Sequence, residues 1–450
     1  MYISAMLKSR GHACDVLIET FEKEDMIRNA VALSPDLVAF SCLASDFPWA
    51  VHMAGEIKKY RRAPVIFGGT HVTLNPEESL SPPPVDLICI GEGEYPLAEL
   101  ADALSRGGDI AGIPNIWAKL AGRVVRNETR NLIEDLDCLP FPDRRLYEKY
   151  PFFAERGKRP IHFGRGCPYD CTYCHNASKK RLFEGKGRFV RWRSQENILA
   201  EIRGLVEERY IKVLHVIDDS FGVNREWLRE FLPKLAAATK IRLAVQANMR
   251  ADIVTEDLCR AFQEYGHRYL RLRIAVETGN QDYRKNILKK NITNASLFKA
   301  AGLFRKNKIR FITYNMIGLP GETLPLALET LRLNMRLKPA LAIGFIFQPY
   351  LGTELASYAQ EKGFLSAETA RLLGTKEFSG FYHSRSPLHQ KDIRKIENLH
   401  KVFSLIAKYP VLYPLFRWMI PFRVFSLPLL IVYKAHVRFL LWRRFAQDRY

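Results

Sequence analysis

Short apolar runs separated by stretches of helical periodicity lay out the plan of this chain. DVLIE (15–19), DLVAFSC (36–42), PVIFGG (64–69) and DLICIGEG (86–93) are continuous apolar runs of strand length. Runs of this kind mark strands buried on both faces. Between them, WAVHMAGEIKKYRR (49–62) and YPLAELADALSRG (95–107) repeat apolar residues at helical spacing. Residues 1–135 therefore predict a Rossmann-like, doubly wound α/β domain with ligands at the carboxyl ends of its strands. The stretch 136–158, LDCLPFPDRRLYEKYPFFAERGK, carries proline without periodicity and reads as a linker.

A second α/β region spans 159–360. Its six strand candidates are 160–166, 212–219, 242–248, 269–277, 310–318 and 341–350, with helical stretches such as 197–210 and 323–338 between them. Residues 361–450 read as a helical extension. Within it Ile393, Ile396, Leu399, Phe403 and Ile406 recur at helical spacing up to Pro410, which predicts a helix packed on the preceding domain.

Composition adds bounds. A chain of 450 residues with 47% hydrophobic and 12% aromatic content folds, and divides into two or three domains. Eight cysteines without pairing spacings exclude a disulfide scaffold and point to a reducing, cytoplasmic setting. The start, MYISAMLKSRGHACDVLIE, has no apolar core of a signal peptide. The net charge of +20 is uneven: residues 401–450 hold nine Lys and Arg, one acid (Asp448) and twelve aromatics. The longest apolar segment there, VFSLPLLIVY (424–433), contains Pro428 and falls short of the ~20 residues that span a bilayer. The segment suits peripheral contact with an anionic membrane, and equally a basic helical cap on the second domain. No nucleic-acid-reading motif accompanies the charge, which makes nucleic acid the weakest of the three partners.

The chemistry is concentrated in GRGCPYDCTYCHN, where Cys167, Cys171 and Cys174 stand at CxxxCxxC spacing. Three thiolates each hold one iron of a 4Fe–4S cube, and an electron-transfer cluster normally takes a fourth. Three ligands leave one iron open, the mark of a reactive metal site. Tyr173 offers a flat ring beside it. A zinc site would recruit His175 as fourth ligand, but zinc ligands come as two spaced pairs and no second pair exists. Cys14, Cys42, Cys89, Cys138 and Cys259 are scattered singly, as small buried hydrophobes are.

This motif resembles that of the radical S-adenosylmethionine (SAM) enzymes. The resemblance implies that the open iron binds SAM and that residues 159–360 form the family's partial (βα)6 TIM-type barrel. It places Asp218 and Asp219, ending the second strand, near the SAM amino group. Glu277, ending the fourth in AVETGN, falls to the ribose. Gly318 and Pro320 in MIGLPGET fall beside the adenosyl group. DDS stands where many relatives carry GGE. QPYLGTEL (348–355) is similar to a turn of cobalamin-linked members.

The ordered set SCLAS, GGTHVTLNPEE and GEGEYPLAEL resembles the cobalamin-binding domain found ahead of many radical SAM cores. By that resemblance Ser41, Gly69, Thr70, His71 and Glu92 contact the corrin or its nucleotide tail. DxHxxG is absent, so no histidine is expected beneath the cobalt, and the chain begins at what looks like the domain's first helix.

The implied cofactors are a 4Fe–4S cluster, SAM and cobalamin. The implied group contains anaerobic magnesium-protoporphyrin ester cyclase and cobalamin-dependent radical SAM methyltransferases. A small, lipid-like or otherwise hydrophobic substrate and a flavodoxin- or ferredoxin-type electron donor follow. The competing readings are a methylthiotransferase, using Cys14, Cys42 and Cys89 for a second cluster, and a non-catalytic membrane-peripheral iron–sulfur protein.

Overall fold

The computed structural model describes residues 1–151, 153, 157–207, 211, 213–238, 244–265, 271–373 and 385–447. The expected strand starts at 212, 242–243 and 269–270 lie outside them, as does Asp448.

In the N-terminal domain β1 (Val38–Ser41), β2 (Val65–Gly68) and β3 (Leu87–Cys89) lie side by side in parallel. Alternate residues face opposite sides of this sheet. Val65, Phe67 and Ile88 pack against Phe47, Ala50 and Ala54 of the helix Phe47–Lys58. Ile66, Leu87 and Cys89 pack against Leu97 and Leu100 of the helix Glu94–Arg106. Helices on both faces are what the continuous apolar runs required.

Two expectations for this domain are corrected. Residues 15–19 form no strand: the Val16 carbonyl and Ile18 amide satisfy themselves on the Tyr150 hydroxyl, at 3.2 and 3.1 Å, instead of on a sheet edge. A hairpin that the apolar pattern did not announce extends the sheet instead. It comprises β4 (Ile116–Leu120) and β5 (Arg123–Arg126), antiparallel to its neighbours. Its two-residue turn, Ala121-Gly122, has φ of 47° and 78°, the geometry that matches strand twist in tight hairpins.

The second domain is an open sheet of six parallel strands in chain order. They are β6 (Lys158–Ile161), β9 (Val213–Val216), β10 (Ala244–Met249), β11 (Arg271–Glu277), β12 (Arg310–Ile317) and β13 (Leu341–Ile346). The short pair β7 (Gly164–Arg165) and β8 (Arg191–Trp192) stands apart from it. Leu214, Ala247, Leu272, Ile274 and Phe311 face the surrounding helices as one core.

The helix Ile393–Lys408 does pack on this domain. Ile396, Leu399, Phe403 and Ile406 are fully buried against Ile317, Ala342 and Ile346. The helices Tyr413–Met419 and Ser426–Gln447 lie over it. Among the described residues no helix is long and apolar enough to cross a membrane.

The linker is more than a tether. Arg144 pairs with buried Glu201 and donates to the Pro160 carbonyl at 2.7 Å, while the Asp137 carboxylate accepts from the Ser194 amide at 3.0 Å. Both contacts bind it to the barrel.

Candidate active site at the domain interface

Glycine sets the approach to the cysteine loop. A Cβ on Gly166, at φ 85°, would fall 2.1 Å from the Phe189 carbonyl oxygen, and one on Gly164 would fall 2.5 Å from that of Arg191. No side chain fits at either position, so the strand and the β8 segment close on each other.

The loop is then held from several sides. The Asp219 carboxylate accepts from the Gly166 amide at 3.1 Å. Thr172 donates through its amide to Leu288 O at 3.1 Å and through its hydroxyl to Ile287 O at 2.7 Å. Its own carbonyl accepts from the Leu355 amide, in the QPYLGTEL turn, at 2.9 Å. Arg250 lies over the Tyr169 ring at 3.5 Å.

Within this frame the three thiols are free and unbridged; Cys171 is buried, Cys167 and Cys174 half-buried. Burial raises the Cys167 thiol. Burial first, then the charges of Cys167 and Cys171, pushes Cys174 up to about 12. Among the described residues no group of three His, Cys, Asp or Glu is placed to hold a single ion, His175 included. A cube places different demands, one thiolate per iron corner, and this donor set fits it.

Asp218 and Asp219 both accept from backbone amides. Asp218 is buried, and its Oδ1 accepts from the amides of Phe163 at 2.7 Å and Gly164 at 3.4 Å. Burial pushes its carboxyl up to about 7, against those amides. Both aspartates brace the backbone leading into the cysteine loop, Asp218 from a buried position and Asp219 from an exposed one.

Glu277 ends β11 at a bulge, with φ of 66°. A non-glycine residue in that region is held there by its surroundings. Its Oε1 accepts from the Tyr173 hydroxyl at 2.8 Å and from Lys290 Nζ at 2.7 Å. Tyr173 and Glu277, singled out separately in the sequence, are thus one hydrogen-bonded unit, completed by a buried lysine that sequence reasoning missed. Burial, then the Glu277 charge, raises the Tyr173 phenol well above its usual range.

At the next strand end Gly318 and Gly321 have φ of 75° and 74°. A Cβ on Gly318 would meet Ile393 at 3.1 Å, so this glycine makes room for the C-terminal helix. The Pro320 carbonyl accepts from the Tyr283 hydroxyl at 2.6 Å.

Ser41, Gly69, Thr70 and His71 meet at one edge of the N-terminal sheet. Gly69, at φ 95°, lets its backbone sit against Cys42, where a Cβ would lie 2.7 Å from the Cys42 oxygen. His71 is 6% exposed, and neither ring nitrogen has a hydrogen-bond partner. Burial holds it down to about 4, so the ring is neutral. Two unpaired nitrogens on one buried ring leave His71 able to take a partner from outside the chain. The helix Thr70–Leu74 that carries His71 packs against the helix His175–Leu182, which begins one residue after Cys174.

Glu92 belongs to a different structure from the one expected. Its carboxylate takes Arg165 at 2.9 Å, Arg191 at 3.0 Å and the Ile133 amide at 2.8 Å, while Glu94 takes Arg165 at 2.6 Å. These pairs join the N-terminal sheet to β7 and β8, on either side of the loop entry. Burial alone would raise the Glu92 carboxyl, but hydrogen bonding to Arg191 and the charges of Arg165 and Arg191 leave it below the usual carboxylate range. Gly91, at φ 87°, lies against Phe183, and Gly352 of the QPYLGTEL turn lies against Leu74. The GEGE turn thus serves domain docking.

The family comparisons fit this geometry. A model of the radical SAM superfamily matches residues 161–333 and one of the B12-binding domain matches residues 1–101. The chain is an enzyme that carries a radical SAM domain and a B12-binding domain. A 4Fe–4S cluster, SAM and cobalamin are the cofactors those two domains use.

An uncharacterized methyltransferase of Pyrococcus horikoshii is 28% identical over 80% of this chain and 77% of its own length. Anaerobic magnesium-protoporphyrin IX monomethyl ester cyclase of Rubrivivax gelatinosus is 24% identical over 79% of this chain and 64% of its own length. The structure of the radical SAM methyltransferase TsrM of Kitasatospora setae, with cobalamin and a 4Fe–4S cluster bound, superimposes with a TM-score of 0.66. It covers 81% of this chain and 72% of the other at 18% identity, a likeness of fold.

Proposed function

We propose that this protein is a cobalamin-dependent radical SAM methyltransferase acting on an unactivated carbon of a largely apolar small molecule. When bound, the cluster with SAM supplies a 5′-deoxyadenosyl radical and cobalamin supplies a transferable methyl group. The observation that carries the reading is the packing of the His71 helix against the helix that follows Cys174. That contact supports a reading in which the two cofactors lie side by side, at an interface held by Glu92, Arg165 and Arg191.

The chain's own residues fit the task. Cys167, Cys171 and Cys174 hold the cluster; Asp219 and Thr172 hold the loop that bears them. Glu277, locked by Lys290, anchors Tyr173 directly beside Cys174. On the face of the sheet opposite the core positions of β12 and β13 stand Ile312, Tyr314, Met316, Ile343 and Phe345, with the Tyr314 and Phe345 rings 5.5 Å apart. That wall suits an apolar substrate.

Methylthiotransferase chemistry lacks its second ligand set. Cys42 and Cys89 lie in the cores on opposite faces of the N-terminal sheet, and burial pushes both thiols up to about 12.

Anaerobic incubation with a reductant, SAM and cobalamin tests the proposal. Deoxyadenosine together with S-adenosylhomocysteine is the expected outcome. Deoxyadenosine alone would assign the chain to non-methylating radical chemistry.

A further inference from the structure

Nine of the eighteen large apolar side chains exposed in the described structure fall within Tyr409–Phe439. Val411 is 84% exposed, Trp418 63%, Val424 76% and Ile431 62%, with Leu415, Phe422 and Leu427 more than half exposed between them. Their spacing follows helical turns. Val411, Leu415, Trp418 and Phe422 form one stripe through the helix Tyr413–Met419, and Val424, Leu427 and Ile431 continue it into the helix Ser426–Gln447. Trp418 lies 6.2 Å from Phe422 and 5.1 Å from Phe425, so the aromatics form a patch rather than isolated side chains.

The opposite side of the same helices is fixed to the barrel. Phe416, Ile420 and Leu429 are buried with Leu399 and Phe403. Asn398 donates to the carbonyls of Ile420 at 3.2 Å and Phe422 at 3.3 Å, and Lys401 Nζ donates to the Ser426 hydroxyl at 2.7 Å. The exposed stripe is therefore presented by a rigid support. Its charge has one sign: from Asn398 to Gln447 the sequence has no acid, and Lys408, Arg417, Arg423, Lys434 and Arg438 flank the apolar positions. An anionic lipid surface takes both the cations and the aromatic, aliphatic wedge.

We propose that the 409–439 face seats this enzyme in the plane of an anionic bilayer. Trp418, Phe422, Val424 and Leu427 enter the headgroup–acyl boundary, and Arg417 and Arg423 lie at the phosphates. The proposal involves no crossing: among the described residues no helix is long and apolar enough. The face is separate from the cysteine loop and its supports, so the proposal stands independently of the reaction.

Vesicle co-sedimentation of the full chain tests it. Vesicles of phosphatidylcholine alone are compared with equal parts phosphatidylcholine and phosphatidylglycerol, at low and high salt. The expected result is strong partitioning to the mixed vesicles only, weakened by salt. Each cation at such a surface contributes about fivefold in partitioning. Reversal in Arg417→Glu/Arg423→Glu should thus cost roughly 25-fold or more, and Trp418→Glu/Phe422→Glu should abolish binding. Wild-type salt dependence decides the question without any variant.

Absence of binding, or equal binding to neutral vesicles, would overturn the proposal. So would a wild-type dimer in solution that Trp418→Glu converts to a monomer, which would assign the face to a second copy of the chain.

Discussion

The Tyr173 hydroxyl donates a 2.8 Å hydrogen bond to Glu277 Oε1, tying the residue beside the third cysteine to the end of the fourth barrel strand. Lys290 reaches the same oxygen at 2.7 Å with its side chain only 4% exposed. Removing the acid alone strands a buried cation. Glu277→Ala should cost about 3–5 kcal/mol of stability, measured by denaturant unfolding. Glu277→Leu combined with Lys290→Met should recover most of that loss. An additive double variant would show that the pair is not coupled.

Gly166 has no room for a side chain, since its Cβ would overlap the Phe189 carbonyl at 2.1 Å. Gly166→Ala must displace the entry to the cysteine loop, with a strain of roughly 1–3 kcal/mol at that residue. Iron content and broad visible absorbance after anaerobic reconstitution should fall by more than half, with far-ultraviolet circular dichroism unchanged. Normal iron loading would contradict the close approach.

Glu92 couples the two domains, and its carboxyl is held below the usual range. A carboxyl lowered on folding contributes stability that is fully present above its unfolded pKa of ~4.3 and lost as pH falls through the lower folded value. Glu92→Gln should cost about 3 kcal/mol at neutral pH, because Arg165 and Arg191 lose their partner. The acid-side loss of melting temperature should also be shallower in the variant than in wild type. Parallel curves would remove Glu92 from the docking account.

His71 is neutral and buried with both nitrogens unpaired. If cobalamin completes that site, His71→Phe should weaken its retention by about tenfold, the worth of one hydrogen bond. Cobalamin absorbance co-eluting with protein on gel filtration measures this, with iron content as the unaffected control. Undiminished retention would mean that the nitrogens serve something else.

Much of this was legible in the chain because strand length, order and cysteine spacing are local properties. The six barrel strands, three sheet strands of the first domain and the helix Ile393–Lys408 all emerge from apolar periodicity. The β4–β5 hairpin was missed because IWAKL-AG-RVVR hides its turn in Ala121, a residue that seldom takes positive φ. Residues 15–19 misled because an apolar run carries no sign of whether a neighbouring strand exists.

Site contacts were least legible where they depended on partners distant in sequence. Glu92 looked like a ligand contact until Arg165 and Arg191 were beside it, 73 and 99 residues away. The aspartates of DDS gave no sign in the sequence that one oxygen of each accepts from the amides of Phe163, Gly164 and Gly166. The basic residues of GRGC and RWR were the available signal, and only a three-dimensional pairing gives them meaning.

The central claim is that the cluster loop and the His71 edge adjoin in one fixed interface. Electron paramagnetic resonance of the enzyme holding both a reduced 4Fe–4S cluster and cob(II)alamin tests it most directly, because each is paramagnetic. The account predicts spin–spin interaction visible in both signals and absent when either cofactor is omitted. Two signals that simply superimpose, with unaltered relaxation, would contradict it.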